Sequence, residues 1–472
     1  MSEQPTPYNQ IDFVIKAPRF RIVFSYMDDK GVAFVREYLL RLLKLTPCKP
    51  EQIARYFGFN QHETQVALAD LEHNKWITWR NDGLIELSDE GERLFLSIDD
   101  NSPKIPTLKE FGGEYRMELL DNNFLQKKDC DQNRQNAIEL DIEPKVLSES
   151  SDIARKTFQN RFIQLMEDEI VNLSNKNISL YKIDTIEAKG SLDYFRFTQY
   201  FELLPETGEA KERHDIANII HQDNIAQAVT EKIGNFAENT KELHQSMSEI
   251  GDDDTLKVLF RGKLDFNEFL TTYEKYEQNN GLYFLGQIYH QSIGKNKNSP
   301  NMVFDEIELI LNKLKKSSET KKLYWLAPSD VYWGKQRKIH DKIQNLVNQQ
   351  KNKNYDFRLY LPLPSEHNRR EKQEWQNEFR DISDKVLYGF CEGFLSGNTE
   401  ILFLENEFAV VCYHAKLANY PVTLPIGFMT TDKKQIFHIQ KLVEDYLTDI
   451  AYSDDENDDI QNNDFGLLNK IT

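Results

Sequence analysis

His414 and Lys416 form a His-x-Lys pair, in which an imidazole can serve as a nucleophile and an ammonium can neutralise an anionic group. They lie in the segment EFAVVCYHAKLANYPVTLPIGFMTT, which spans residues 407–431. The apolar start of this segment, rich in β-branched and aromatic residues, predicts a β-strand. Because side chains alternate along a strand, the prediction places both residues on the face that also carries Cys412. The pair is therefore the first candidate for a catalytic site.

The region around this pair, residues 303–451, predicts an α/β layer domain with a mixed sheet. Segments with helical spacing, such as VFDEIELILNKLKK, are followed by strand-like segments such as KKLYWLAPS. This order, the HAK phrase and the later Gly427 resemble one half of the phospholipase D superfamily fold. The resemblance implies that His414 attacks phosphorus and that Lys416 neutralises phosphate oxygens.

Departures from that family's pattern predict a domain without catalytic activity. In the family phrase H-x-K-x-x-x-x-D, the Asp position corresponds to Pro421, and Phe428 and Met429 replace small polar residues. An active site also needs a second motif, and the local match HDK at 340–342 lies in a helical pattern, which separates the two side chains. The region is therefore predicted to serve in sensing or assembly, or to hold His414 as a hydrogen-bonded residue of a half-buried strand. The alternative is a phosphodiesterase or nuclease that completes its site as a homodimer.

The N-terminal part of the chain predicts three helices followed by a two-stranded hairpin. The helical segments are GVAFVREYLLRLLKL, KPEQIARYFGF and NQHETQVALADLEHNKW, and the strands WITW and LIEL flank the Asp-Gly turn RNDG. The pattern VALADLEHNKWI…LIELSDEGERL resembles winged-helix regulators that carry an L-T-x-x-G phrase after the wing. The resemblance implies a winged helix-turn-helix domain at residues 19–98.

A DNA-reading winged helix places its third helix in the major groove. The candidate DNA-binding residues are polar side chains at the start of that helix and basic residues around the wing: Asn60, Gln61, His62, Thr64, Gln65, Lys75 and Arg80. Residues 31–98 carry 8 basic and 10 acidic residues, a formal charge of −2. Since phosphate contacts need local positive charge, docking of a protein partner is an equal alternative to DNA binding.

The bulk composition narrows the class of protein. A chain of 472 residues exceeds one ordinary core and predicts two or three domains. With 77 acidic and 58 basic residues the net charge is −19, which argues against a grip on nucleic acid by the whole molecule.

The start MSEQPTPYNQ lacks a signal-peptide pattern, and no apolar run reaches the roughly 18 residues of a membrane helix. We therefore expect a cytoplasmic protein that does not contact a membrane.

The four cysteines, Cys48, Cys130, Cys391 and Cys412, are far apart and form no CxxC or Cys/His ligand spacing. They predict reduced thiols and no structural metal site. The sequence also lacks the short motifs for nucleotide, dinucleotide or zincin chemistry, so we expect no cofactor.

The expected domain order is consecutive along the chain. After the winged helix come a linker or irregular region at 99–150, a middle α+β or helical domain at 151–300, and the α/β domain at 303–451. The end, 452–472, has six acidic residues between 454 and 464 and predicts an acidic disordered tail. The fold class is thus multidomain, α/β and α+β.

Together these patterns predict a non-catalytic winged-helix protein. It would act as a DNA-binding transcription regulator, or as an accessory subunit of a bacterial DNA-processing or anti-phage defence assembly. Its partners would be DNA through the winged helix, other proteins, or a second copy of the chain.

Overall fold

The computed structural model describes most of the chain. The described residues are 5–95, 102–174, 178–204, 207–211, 223–233, 237–255, 281–290, 303–314, 319–364, 368–448, 450–451 and 461–470. The chain forms two compact units. Unit 1 consists of Met1–Lys16, Asp131–Ile142 and Tyr194–Thr472, and unit 2 of Ala17–Cys130 and Glu143–Asp193. Both units are thus assembled from separated segments, whereas the sequence predicts consecutive domains.

The helices of the described residues are, in chain order, α1 Phe34–Leu45, α2 Pro50–Phe57, α3 Gln61–His73, α4 Asp89–Glu92, α5 Pro144–Ser148, α6 Ser150–Asn160, α7 Phe162–Glu167, α8 Asp223–Lys232, α9 Thr240–Ile250, α10 Val303–Lys313, α11 Lys338–Lys353, α12 Arg369–Glu378 and α13 Lys433–Thr448.

The strands are β1 Thr6–Gly31, β2 Ile77–Trp79, β3 Ile85–Leu87, β4 Lys104–Met117, β5 Phe124–Leu125, β6 Cys130–Asp131, β7 Ile138–Glu139, β8 Ile178–Leu203, β9 Gly281–Leu285, β10 Lys321–Leu326, β11 Tyr355–Leu363, β12 Leu387–Cys391, β13 Thr399–Leu404, β14 Phe408–Ala415, β15 Leu424–Thr430, β16 Ile450–Ala451, β17 Gln461–Asn462 and β18 Asp464–Leu467.

Unit 1 is built on an eight-stranded mixed sheet with the order β18-β12-β11-β10-β13-β14-β15-β9. Strands β10, β11 and β12 are parallel, and the remaining neighbours are antiparallel. Every residue of β13, β14 and β15 is buried. Strands buried on both faces have continuous apolar runs instead of alternating ones. The predicted mixed α/β architecture with a mixed sheet is confirmed, and the sheet also includes β9 and β18, which lie outside the predicted range 303–451.

The predicted disordered tail is wrong for its last part. Residues 464–467 form β18, which pairs with β12 at one edge of the eight-stranded sheet. Phe465 packs against the core, and Leu468 is only 1% exposed. The many acidic residues of this segment make its composition typical of a disordered tail. Its short apolar run is nevertheless long enough to form an edge strand. Residues 452–460 lie outside the described part of the chain.

Unit 2 contains a long antiparallel pair formed by β1 and β4. The register runs from Arg19↔Arg116 to Gly31↔Lys104. The prediction of an irregular linker at 99–150 is therefore wrong for residues 104–117. Residues 105–114 of β4 alternate between half-buried and exposed, and none of them is fully buried. This part of the strand therefore lacks the regular apolar pattern that identifies a strand from sequence.

The helices α1, α2 and α3 pack with the β2–β3 hairpin around one small core in unit 2. Leu39, Ile53, Leu71 and Ile85 are among its buried members. Pro50 occupies the first turn of α2, where its missing N–H costs little. Three helices followed by an antiparallel hairpin is the element order that the sequence predicts for this segment.

A buried ion cluster lies elsewhere in unit 2. The Asp193 carboxylate accepts hydrogen bonds from Arg19 Nε at 2.7 Å and from Arg116 Nε at 2.7 Å. Burial acts to raise the pKa of Asp193, but the two guanidinium groups outweigh it and lower that pKa below its ordinary value. The cluster ties two neighbouring strands, β1 and β4, to the side chain of a third, β8.

Among the described helices, none combines the length and the apolar character that crossing a membrane requires.

Candidate functional site in unit 1

His414 lies near the end of β14, a central strand of the eight-stranded sheet, and only 1% of its surface is exposed. Its backbone amide donates to the carbonyl of Asn398 at 2.8 Å, and its carbonyl accepts from the Asn239 side chain at 3.0 Å. The sequence predicts a strand here, and the structure confirms it. The residue is more deeply buried than a half-buried strand would make it.

Both ring nitrogens of His414 contact buried carboxylates. Nδ1 lies 2.7 Å from Oδ2 of Asp330, and Nε2 lies 3.2 Å from Oε2 of Glu400. Asp330 follows the end of β10, and Glu400 is the second residue of β13. Three separate segments of the fold therefore meet at the imidazole ring.

Each carboxylate has further donors that offset the cost of its burial. The indole Nε1–H groups of Trp325 and Trp333 donate to Oε1 of Glu400 at 2.7 and 2.8 Å. The Thr423 hydroxyl donates to Oδ2 of Asp330 at 2.8 Å. The cluster is thus a hydrogen-bonded network in which each acidic side chain has several partners.

The network determines the charge of the ring. Burial acts to lower the pKa of His414, yet its hydrogen bonds, above all the one with Asp330, raise that pKa well above the ordinary value. Burial acts to raise the pKa of Asp330, but His414 and Thr423 hold it below its ordinary value. The raised pKa of His414 and the lowered pKa of Asp330 both favour an imidazolium beside the Asp330 carboxylate.

An imidazolium in this position is a poor nucleophile. Attack on phosphorus requires a ring nitrogen with a free lone pair that substrate can approach. Here one nitrogen faces Asp330, the other faces Glu400, and the ring is closed to solvent. The arrangement can fix three segments of the fold and hold charge, but it does not present a nucleophile.

Lys416 is half-buried, whereas His414 is 1% exposed. Strand β14 ends at Ala415, so Lys416 lies just outside the strand in which Cys412 and His414 share a face. Its backbone amide instead donates to Oδ1 of Asn239 at 2.8 Å. The carboxylates, and not the Lys416 ammonium, occupy the two ring nitrogens.

Two residues of the cluster, Asp330 and Glu400, are absent from the sequence predictions. Glu400 could have been suspected, because it is a lone carboxylate in the strand TEILFL, where every residue is buried. Nothing local marks Asp330, which lies 84 positions from His414 in the chain. Pro421, at the position of the family's Asp, is exposed, and the HDK match at 340–342 lies in α11, as predicted.

A cavity of about 760 Å³ adjoins the cluster in unit 1. Asp330 and Trp333 form part of its wall, and Trp375 supplies a second indole. Glu371 and Glu392 also line it. Burial first, and then the nearby carboxylates of Glu392 and Glu374, raise the pKa of Glu371. The cavity wall thus combines indole rings with acidic side chains and with the basic Arg134, Lys335 and Arg380, and it reaches the same Asp330 that contacts His414.

The candidate DNA-binding residues on α3 divide into exposed and occupied side chains. Gln61, His62 and Gln65 are exposed. Asn60 caps the helix, since its side chain accepts from the backbone N–H of Glu63 at 2.9 Å. Thr64 is 4% exposed, and its hydroxyl donates to the Asn60 carbonyl at 2.8 Å. Three of these five residues thus have side chains directed to solvent and available for contact.

The two basic candidates also differ. Lys75 is exposed and has a φ of 59°, at the turn between α3 and the hairpin. Nη1 of Arg80 lies 3.6 Å from Oε2 of Glu86, and its Nε lies 3.8 Å from Oδ2 of Asp82; both acidic residues belong to the hairpin region. Of the two, Lys75 is the better placed to contact a phosphate.

A groove of about 780 Å³ runs along α2 and α3 in unit 2. Gln61 and Gln65 line it together with Trp79, and so do the carboxylates of Glu51 and Glu72. Apolar side chains such as Leu68 also line the groove, and the basic Arg55 stands beside the two carboxylates.

No protein-family model matches the chain, and neither does any curated protein sequence.

Proposed function

We propose that this chain is a non-catalytic winged-helix protein. It acts as a DNA-binding regulator or as an accessory subunit of a bacterial DNA-processing or anti-phage defence assembly. Its α/β region is a degenerate phospholipase D-like domain that serves in sensing or assembly.

The environment of His414 is the observation that supports the absence of catalysis. Asp330 and Glu400 occupy its two ring nitrogens, and 1% of the residue is exposed. A nucleophilic histidine needs one free ring nitrogen, so this geometry favours a structural role for His414 over a catalytic one. The adjoining cavity of about 760 Å³ gives this region room for a ligand, which supports a sensing role.

The exposed face of α3 supports binding to DNA. Amide side chains such as those of Gln61 and Gln65 can pair with the edge of adenine. Lys75 stands beside the hairpin, where a wing would follow the phosphate backbone. Glu51 and Glu72 oppose a strong phosphate grip, so we expect binding to be weak at high salt.

DNA binding is tested by fluorescence anisotropy with random duplex DNA across a range of salt concentrations. We expect Lys75→Glu to weaken binding to all sequences and to reduce the slope of log K against log salt by about 1. The matched control is Lys127→Glu, which reverses an exposed charge elsewhere in unit 2 and should leave the slope unchanged. Gln65→Ala should reduce discrimination between sequences after selection of a preferred site.

Absent or salt-insensitive binding would contradict the DNA proposal. A comparable loss in Lys127→Glu would show only a general charge effect. In either case α3 and its groove would be left as a surface for a protein partner.

The lack of catalysis is tested with a generic phosphodiester, bis(p-nitrophenyl) phosphate. We expect the wild type, His414→Gln and Lys416→Ala to hydrolyse it at the same background rate. Hydrolysis that falls in both variants, while each remains folded by circular dichroism, would favour the phosphodiesterase instead.

A further inference from the structure

Strands β13 and β14 bring three metal-ligating side chains together. Their antiparallel register places Glu400 directly opposite Cys412. His414 is two residues further along β14 and therefore shares a face with Cys412. A carboxylate oxygen, the thiol sulfur and a ring nitrogen of these three residues all lie within 4.8 Å of one another. The residues are 0%, 0% and 1% exposed, respectively.

The surrounding residues orient two of these groups as ligands. Trp325 and Trp333 both donate to Oε1 of Glu400, which leaves Oε2 facing Nε2 of His414 at 3.2 Å. Asp330 binds Nδ1 of the ring at 2.7 Å. A carboxylate on the distal nitrogen is the usual means of orienting a histidine toward a metal. The ring nitrogen that remains for an ion is Nε2, beside Oε2 of Glu400.

We propose that Glu400, Cys412 and His414 form a binding site for a zinc-class divalent cation, with Asp330 as the partner that orients the histidine. Thiolate, imidazole and carboxylate are the three ligand types that zinc accepts in proteins, and three of them leave a fourth tetrahedral position for water. With metal–ligand bonds of about 2.0–2.3 Å, ligand atoms around tetrahedral zinc lie roughly 3.3–3.7 Å apart. The 3.2 Å between Nε2 and Oε2 is already close to that spacing.

Binding of the divalent ion releases two protons, so the net charge of the site stays the same. The ion displaces the Nε2 proton of His414 and the Sγ proton of Cys412, and both protons go to solvent. The divalent charge then offsets the thiolate and the Glu400 carboxylate. An ion at Nε2 blocks this nitrogen as effectively as a proton does, so the site goes beyond the proposed function without weakening it.

The burial of the ligands determines how the ion must enter. Since all three are closed to solvent in the folded chain, we expect loading to accompany folding and exchange to be slow. Full-length protein should therefore be expressed in medium supplemented with zinc or, separately, with cobalt, and then purified without chelator.

The test measures metal content by mass spectrometry and the absorption spectrum of the cobalt form. We expect about one zinc per chain, and a sulfur-to-cobalt charge-transfer band in the near ultraviolet with tetrahedral d–d bands in the visible. Cys412→Ser should abolish the charge-transfer band and lower the metal content at least tenfold. Cys391→Ser, which replaces a half-buried thiol outside the cluster, is the matched control and should retain both signals.

Wild-type protein without zinc or cobalt after both expressions, and after refolding in the presence of each ion, would overturn the proposal. So would equal metal content in Cys412→Ser and wild type, because the ion would then lie elsewhere. If Cys412→Ser fails to fold, the cobalt spectrum of the wild type decides alone, since a cobalt form without a sulfur charge-transfer band excludes Cys412 as a ligand.

Discussion

Nδ1 of His414 lies 2.7 Å from Oδ2 of Asp330, although the two residues are 84 positions apart in the chain, and both are buried. The contact joins the loop after β10 to the C-terminal end of β14. Thr423, just before β15, donates to the same carboxylate oxygen at 2.8 Å. Asp330 therefore connects three segments of unit 1.

Asp330→Asn should destabilise unit 1 by roughly 3–5 kcal/mol, because it removes one of the two carboxylates that the buried His414 ring contacts and leaves that ring with Glu400 alone. The measurement is urea unfolding of the full chain followed by tryptophan fluorescence. Asp356→Asn is the matched control, since Asp356 pairs with Arg358 while its side chain remains 47% exposed. There we expect a loss below about 1 kcal/mol. Equal losses in the two variants would contradict the importance of the Asp330–His414 contact.

Gly427 permits the close approach of β14 and β15. It pairs with Cys412 across the two strands, and a Cβ at this position would lie 1.9 Å from the carbonyl oxygen of Val411. Gly427→Ala should therefore force the strands apart and cost about 3 kcal/mol or more. Thermal unfolding measures the effect.

The control for that substitution is Gly190→Ala in β8. A Cβ at Gly190 meets no heavy atom within 4 Å, so we expect a change within about 0.5 kcal/mol. A Gly427→Ala variant as stable as Gly190→Ala would show that the sheet relaxes around the added methyl group.

His290 should make unit 1 sensitive to acid. Burial first, and then the nearby Lys338, lower the pKa of His290 from the ordinary value of 6.5 to about 3. Its Nδ1 accepts from the backbone amide of Gln287 at 3.3 Å, which requires the neutral ring. Between pH 6.5 and 3 the unfolded chain protonates His290 and the folded chain does not. The free energy of unfolding therefore falls as the pH is lowered through this range, by up to about 1.4 kcal/mol per pH unit, and is unaffected by His290 above pH 6.5.

The pH effect is measured by urea unfolding between pH 7 and pH 4. His290→Gln should flatten this part of the stability profile, because the amide side chain does not titrate. His62→Gln, at an exposed position on α3, is the matched control and should leave the profile unchanged. An identical acid limb in wild type and His290→Gln would assign the effect to other groups.

The Asp193 cluster should control the stability of unit 2. Asp193→Asn leaves Arg19 and Arg116 without the carboxylate that both bind, and we expect a loss of roughly 3–5 kcal/mol. Because the pKa of Asp193 is lowered in the folded state, this stabilisation is present above its ordinary pKa of 3.8 and is lost as the pH falls below that value. The measurement is hydrogen exchange of β1 and β4, or urea unfolding.

Asp82→Asn is the matched control for the Asp193 cluster. Asp82 lies 3.8 Å from Arg80, and its side chain is 52% exposed, so the pair is worth less than about 1 kcal/mol. Protection of β4 that is unchanged in Asp193→Asn would contradict the assigned role.

The sequence by itself determined the elements whose patterns are local. Helices α1, α2 and α3, the Asp-Gly hairpin after them, and the alternating helices and strands of 303–451 all follow from periodicity and turn chemistry. It also placed His414 and Cys412 on one face of a strand, since alternation is a property of the strand alone.

Only the tertiary structure decided what surrounds His414. Asp330 and Glu400 reach the ring through the order of strands β10, β13 and β14 in the sheet, which no local pattern encodes. The same holds for β18, where a short apolar run inside an acidic segment becomes a strand because a sheet edge is available to pair with it. Pairings between distant segments depend on the free energy of the whole core. Local sequence patterns therefore could not identify Asp330 and Glu400 as the partners of His414.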